Sequence, residues 1–357
     1  SDGCTDMDSI DNQGLPECLF EGEFGEGTAS INDAYMKFCD RISLADFLVL
    51  AAEAVMTHLA TPSLQGSWER RFRNQFGYGR TTSFEGCAFS VGLLPHPEES
   101  CDDVKRVFVD NMDLSWGEAA ALMGVHTLGR ARPENSGYDG WWSTAEHSRT
   151  FNNNYFVTFF SKGWCPEMNV NGCSDGDELA GRCTKQNQWQ GCHQDKDTEA
   201  VAHQMMLDSD LCLHYADVEG NLLQAATDSC CAWQSTISNK YPMEKVVAQA
   251  DDNKWCGLEC GIDYPNGSGT YECVTGSRQQ GGREFRNCCA SMIAEDNRAE
   301  CTTPVHGTPR VGGPATLETL LFANEETEWQ NSFLIAWKKA TENGVAGALK
   351  PLETTTC

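Results

Sequence analysis

A mainly α-helical fold interrupted by disulfide-rich loop insertions is the architecture this 357-residue sequence predicts, on three observations. Helix signals come with their stops: Ser115 with Glu118 three residues on forms a capping box, an alanine-rich run propagates the helix, and Gly129 ends it. Near the end, Trp329, Phe333, Trp337 and Ala340 recur at helical spacing. The 19 cysteines concentrate in polar, glycine-rich stretches where neither helical nor strand periodicity is sustained.

In chain order, residues 1 to about 30 are acidic and loop-like, and residues 31–60 read as one long helix. Residues 65–100 read as a connection with a short helix, and 101–129 as two helices, the second carrying His126. Between Phe160 and His203 lies a polar excursion holding Cys165, Cys173, Cys183 and Cys192. A larger insertion, from about His214 to Pro304, holds eight cysteines (Cys230, Cys231, Cys256, Cys260, Cys273, Cys288, Cys289 and Cys301) and reads as a small stapled unit. A closing helix over about 316–343 returns to the main fold. The division expected is 1–213 as the main helical domain, 214–304 as the cysteine-rich insertion, and 305–357 as the closing helix and tail.

The net charge of -26 argues against nucleic acid and anionic membranes as partners, and reads as a solvated acidic surface. With no apolar run of membrane-spanning length, no membrane span is expected. So many cysteines point to an oxidising, extracellular compartment, with disulfides favoured over zinc because the repeated Cys-x-x-Cys pattern of a zinc ribbon is missing. Asn266-Gly-Ser is a glycosylation acceptor pattern, and the absence of an initial signal peptide fits a mature secreted product. The odd cysteine count leaves one thiol free or paired to another chain, such as a disulfide-linked N-terminal fragment.

A histidine beside an apolar run is ordinarily a satisfied structural residue, and the wording around His126 reverses that expectation. His126-Thr-Leu-Gly-Arg-Ala, then Ser136-Gly-Tyr-x-Gly-x-Trp142, then Thr150-Phe-Asn-Asn-Asn-Tyr-Phe156 resembles the proximal segment of plant-type haem peroxidases, the superfamily of cytochrome c and ascorbate peroxidases. Further segments are similar in order: Ser43-Leu-Ala-Asp-Phe, Gly79-Arg80, Gly92-Leu-Leu-Pro95, Met206-Leu-Asp-Ser-Asp210 and Leu320-Leu-Phe-Ala-Asn324.

The resemblance implies haem b as cofactor, His126 as axial ligand of its iron, Asp210 as acceptor of the other ring proton, and Trp142 beside the imidazole. It places Arg132, with Arg130 nearby and Thr127 next to the ligand, toward the haem and its propionates. Thr127, Ser143 and Asn152 supply oxygens where several members hold Ca²⁺ or K⁺, although the loop carries a two-residue excess and Asn152 replaces the usual aspartate. Asn135 stands where ascorbate peroxidases have an arginine used for ascorbate, which puts that substrate in doubt.

On the distal side the sequence departs from the pattern. The family cleaves peroxide with a distal histidine and an arginine on one helix, and the histidines at 58, 96, 147, 193, 203, 214 and 306 have no Arg-x-x-x-His setting. Asn12, in Asn12-Gln-Gly-Leu15, matches the asparagine that orients the distal histidine; its alternative role is as a turn residue. The expectation is a chain starting just downstream of a distal segment, and a secreted peroxidase that reduces hydrogen peroxide and oxidises small phenolic or tyrosyl donors. Two rivals are a non-catalytic structural or adhesive protein on the same fold, and haem or iron storage without turnover.

Overall fold

The computed structural model describes residues 14–15, 19–20, 30–83, 91–161, 164–167, 170, 186–191, 204–216, 223–225, 232, 237–238, 241–242 and 312–352. Asn12, Asn266 and nearly all of the 214–304 insertion, its eight cysteines included, lie outside the described residues.

Two serines decide where the N-terminal helical stretch starts, and starts again. Ser30 caps α1 (Ile31–Tyr35) in a reciprocal box with Asp33, and Ser43 caps α2 (Leu44–Leu59) by accepting the Asp46 amide. The single helix expected over 31–60 is therefore two, because residues 36–43 turn to bring the second cap into place. α3 (Gln65–Gln75) follows and buries Trp68 and Phe72. The short strand β1 (Gly77–Tyr78) comes next.

α4 (Ser100–Val104) widens into a π-helical turn over Lys105–Asn111. In α5 (Trp116–Met123) the expected capping box is present, with Ser115 accepting from the Glu118 amide and the Glu118 carboxylate accepting from Ser115. α5 then tightens into a 3₁₀ turn, Gly124–Thr127, so His126 sits one turn past the α-helix proper. Gly129 turns the chain away at φ +85°, a conformation that costs glycine little.

After α6 (Pro133–Ser136) and α7 (Asn154–Ser161) come strands β2 (Trp164–Glu167), β3 (Gln188–Gly191) and β4 (Met205–Met206), an antiparallel sheet in the order β2-β3-β4. Residues 164–167 and 188–191 of the stretch read as an excursion thus pair as a small ladder, while Cys173, Cys183 and Cys192 lie outside the described residues. α8 (Asp208–Leu211) is a single turn directly after β4. A short pair, β5 (Ile237–Ser238) and β6 (Tyr241–Pro242), is followed by α9 (Thr316–Asn324), α10 (Glu326–Glu342) and β7 (Lys350–Pro351), which pairs antiparallel with β1. The closing helix is broken at Glu325, whose φ and ψ of -131° and 91° are extended.

The fold is mainly α, as expected. Its core gathers Trp68, Phe151, Trp329 and Phe333, with neighbouring rings 5.0–6.1 Å apart. At Gly124 the first residue of the His126 turn packs against Trp329 of α10: a methyl group there would meet the indole nitrogen and stand 2.9 Å from the Phe156 ring. Asn153 donates to the carbonyls of Phe322 and Ala323 at 2.8 and 3.1 Å, capping the exit of α9 from the loop that precedes α7. Arg80 and Asp46 form a buried ion pair at 2.8 Å, and Arg80 Nε also donates to Thr341 O. A disulfide joins Cys101 to Cys212 across 111 residues, which in chain-entropy terms constrains the unfolded state by about 4–5 kcal/mol. Among the described residues no helix is long and apolar enough to cross a membrane.

Candidate functional site

His126 is brought to Asp210 by two pieces of backbone. Met205 N donates to Trp141 O at 2.9 Å, and the Gln204 side-chain Nε2 donates to Ser143 O at 2.9 Å, so the loop carrying Trp142 and the start of β4 are stitched together. Asp210, three residues into the turn after β4, then lies beneath the imidazole with no solvent exposure.

Four donors reach that carboxylate. His126 Nδ1 and the Tyr155 hydroxyl meet Oδ1 at 2.8 and 2.7 Å; Trp142 Nε1 and the Leu207 amide meet Oδ2, both at 2.8 Å. Since a carboxylate only accepts, Nδ1 of His126 carries the donated proton, which leaves Nε2 as the ring nitrogen not taken by Asp210. Burying an anion is costly unless its lone pairs are met, and here both oxygens are met twice. The Trp142 ring stacks on the imidazole, with centroids 4.4 Å apart and planes at 25°. Tyr155 stands edge-on to the imidazole at 5.9 Å. Burial first, and then the adjacent Asp210 charge, push the Tyr155 hydroxyl well above its ordinary value, so it remains a donor.

The three residues that sequence reading placed around the imidazole, His126, Trp142 and Asp210, meet in one cluster. Tyr155 was missed as a member. It stood inside the Thr150–Phe156 motif, but a tyrosine in an aromatic run gives no sign of where its hydroxyl ends up. The His126 side chain is 31% exposed, so the face away from Asp210 is reachable.

Arg130 donates to Asp139 at 3.0 Å and lies 4.3 Å above the Trp141 ring, while Arg132 is exposed at the start of α6. Thr127, Ser143 and Asn152 do come together: Thr127 Oγ1 donates to Asn152 Oδ1 at 3.1 Å and Ser143 Oγ to Thr127 O at 3.1 Å. Their hydrogen bonds are to one another and to backbone, and the trio contains no carboxylate. Among the described residues no group of three or more His, Cys, Asp or Glu side chains is arranged to hold a metal ion.

A helical frame with a histidine held by a buried carboxylate and a stacked indole defines a class, and comparison with known proteins gives the same one. The family model described as Peroxidase matches residues 26–228, more than half of the chain, and the chain belongs to that family. It is 44% identical over 66 residues to L-ascorbate peroxidase 3 of Arabidopsis thaliana, covering 18% of this chain and 22% of that protein. It is 31% identical over 91 residues to the mitochondrial cytochrome c peroxidase of Candida glabrata, covering 26% and 25%. A Candida albicans protein described as a heme-binding peroxidase is 25% identical over 153 residues, covering 42% and 48%. The chain thus spans less than half the length of each of these relatives.

Proposed function

We propose that the protein is a haem peroxidase, in which His126 would hold the haem iron through the ring nitrogen not taken by Asp210. The observation that carries this reading is the Asp210 carboxylate accepting the His126 Nδ1 proton at 2.8 Å with Trp142 stacked on the same ring. The donor set fits haem iron: an imidazole whose Nδ1 is taken by Asp210, on a side chain that is 31% exposed, with a fully buried carboxylate behind it.

When bound, haem supplies the iron at which the O–O bond of hydrogen peroxide is cleaved. The protein's part on this face is to hold the imidazole. Asp210 fixes its tautomer and orientation and gives it imidazolate character, which raises its basicity as a ligand. Tyr155 donates to the same oxygen as His126, and so moderates that character. The same reading assigns Arg132, with Arg130 and Thr127, to binding haem and its propionates, and Asn12 to the distal side. A cation held by Thr127, Ser143 and Asn152 has the weakest support, since neutral oxygens alone make a poor site for Ca²⁺.

The reducing substrate proposed is a small phenol or tyrosyl group, and the compartment extracellular. The support for the compartment is the cysteine content and the long-range Cys101–Cys212 disulfide. The test is haem titration of the purified chain and of His126→Ala. One haem per chain with a Soret band in the former, lost in the latter, is expected, with peroxide-dependent oxidation of a phenol where the protein also carries the distal histidine and arginine. A chain that binds no haem ends the proposal, and protein that carries those distal residues and binds haem without oxidising a phenol favours storage.

A further inference from the structure

The helix that carries Asp210 is too short to hold itself. α8 is four residues long, and an isolated turn of that length has no helical stability of its own. Its position comes from outside. Ser209 N donates to Pro97 O at 3.1 Å, Asp208 Oδ1 accepts from Trp189 Nε1 at 2.6 Å and from the Ala225 amide at 2.8 Å, and Cys212, the next residue after α8, is bonded to Cys101 in α4. That covalent tie lies two residues from the carboxylate beneath His126.

The other end of the bridge shows how closely α4 is drawn in. Ser100 is fully buried and takes φ +53°, a backbone conformation that a serine rarely adopts. Its hydroxyl has no hydrogen-bond partner among the described residues. An unfavourable residue of this kind persists where its neighbours fix it, and its next neighbour is Cys101.

We propose that the Cys101–Cys212 disulfide is a positioning element for Asp210, and that opening it with a dithiol loosens the carboxylate from His126 and Trp142. The opening is a two-electron reduction: the S–S bond breaks, two S–H bonds form with protons from the dithiol, and the dithiol closes to its own disulfide. Both sulfurs are buried, so the protein protects the bond from casual reduction. The consequence at iron rests on the haem reading; the geometry of the tie does not.

The test uses the full chain and its C101A/C212A form. In protein without haem, hydrogen exchange of the Trp142 indole N–H and the Leu207 amide, both donated to Asp210, is followed by NMR, with the amides of α2 as reference. At least tenfold faster exchange at the two protons, with α2 unchanged, is expected; rates within twofold of the parent overturn the proposal. In the haem-loaded ferrous protein, the iron–histidine stretching band should move at least halfway from its parent position to that of Asp210→Asn, and an unmoved band in a folded variant also overturns it. Should the double variant fail to fold, the parent chain is opened stepwise with dithiothreitol and the state of this pair is read by differential alkylation and mass spectrometry. Exchange at the two protons must then track the opening of Cys101–Cys212, and exchange that does not track it is fatal. A parent chain with no Soret band defeats the haem reading instead, and leaves the exchange measurement to decide this one.

Discussion

Asp210 and Glu53 are both buried carboxylates that accept an indole N–H, from Trp142 in one case and Trp337 in the other. Around Asp210 three further donors converge, and nothing offers to accept a proton from it. Glu53, on α2, receives one hydrogen bond among the described residues, from Trp337 of α10 at 2.9 Å, and feels the Arg80 charge only at a distance while Arg80 itself is paired with Asp46. Burial therefore wins at Glu53, and its carboxyl is pushed up to about 7 from an ordinary 4.5. The same indole contact serves an anion when enough donors accompany it and a titrating acid when they do not.

Replacing Asp210 by Asn should be the most damaging way to break this contrast. An amide puts an N–H against at least one existing donor, and we expect a loss of about 3–5 kcal/mol in stability together with about a 10–100-fold loss of haem affinity or activity. Denaturant unfolding and haem titration measure both, and a variant that matches the parent in each would contradict the four-donor account.

At Glu53 the effect depends on pH. Folding holds the Glu53 proton up to about pH 7 while the unfolded carboxyl releases it near 4.5, so the folded state binds the extra proton between these values. Its contribution to stability is complete below pH 4.5 and is lost as pH rises through about 7, a loss of about 3 kcal/mol. Glu53→Gln should remove that slope, matching the parent near pH 4.5 and exceeding it at pH 8. Parallel stability–pH curves for the two proteins would show that Glu53 does not titrate as described.

Tyr155→Phe removes one of the four donors to Asp210 and leaves three, at an expected cost of about 1.5–3 kcal/mol for a hydrogen bond to a charged group. The haem-loaded form should show a higher iron–histidine stretching frequency, because His126 then has Oδ1 to itself. A lower or unchanged frequency would mean that Tyr155 does not compete for that oxygen. The smallest effect is the sharpest. Trp337→Phe deletes the lone donor to Glu53, which matters most when the group is ionised, so its cost at pH 8 should exceed its cost at pH 5 by about 1 kcal/mol.

The sequence showed the local rules of this fold more clearly than its long-range pairings. Ser115 and Glu118 marked the start of α5, and Gly129 the turn of the chain just after the 3₁₀ segment that carries His126, because caps and left-handed glycines act within a few residues. Ser43 and Asp46 carry the same kind of signal for α2, but an apolar pattern running through 31–60 hid it. The extended Glu325 between α9 and α10 has no distinctive residue to announce it. His126, Trp142 and Asp210 were legible through family wording. Tyr155 with Asp210, Glu53 with Trp337 and Cys101 with Cys212 were not, because each joins segments far apart in the chain and periodicity says nothing about which side chains meet.

The indole of Trp329 donates to the carbonyl of Ala121 at 3.1 Å, across 208 residues, and its ring fills the space that Gly124 leaves open. A chain emerging from the ribosome therefore makes the histidine turn long before it makes the side chain that seats it. Until residue 329 has been synthesised, the indole that packs against Gly124, at the start of the turn carrying His126, is missing, and a pairing at such sequence distance comes late in folding. The turn that carries His126 thus waits for Trp329, so a nascent chain released before residue 329 carries the histidine without that packing.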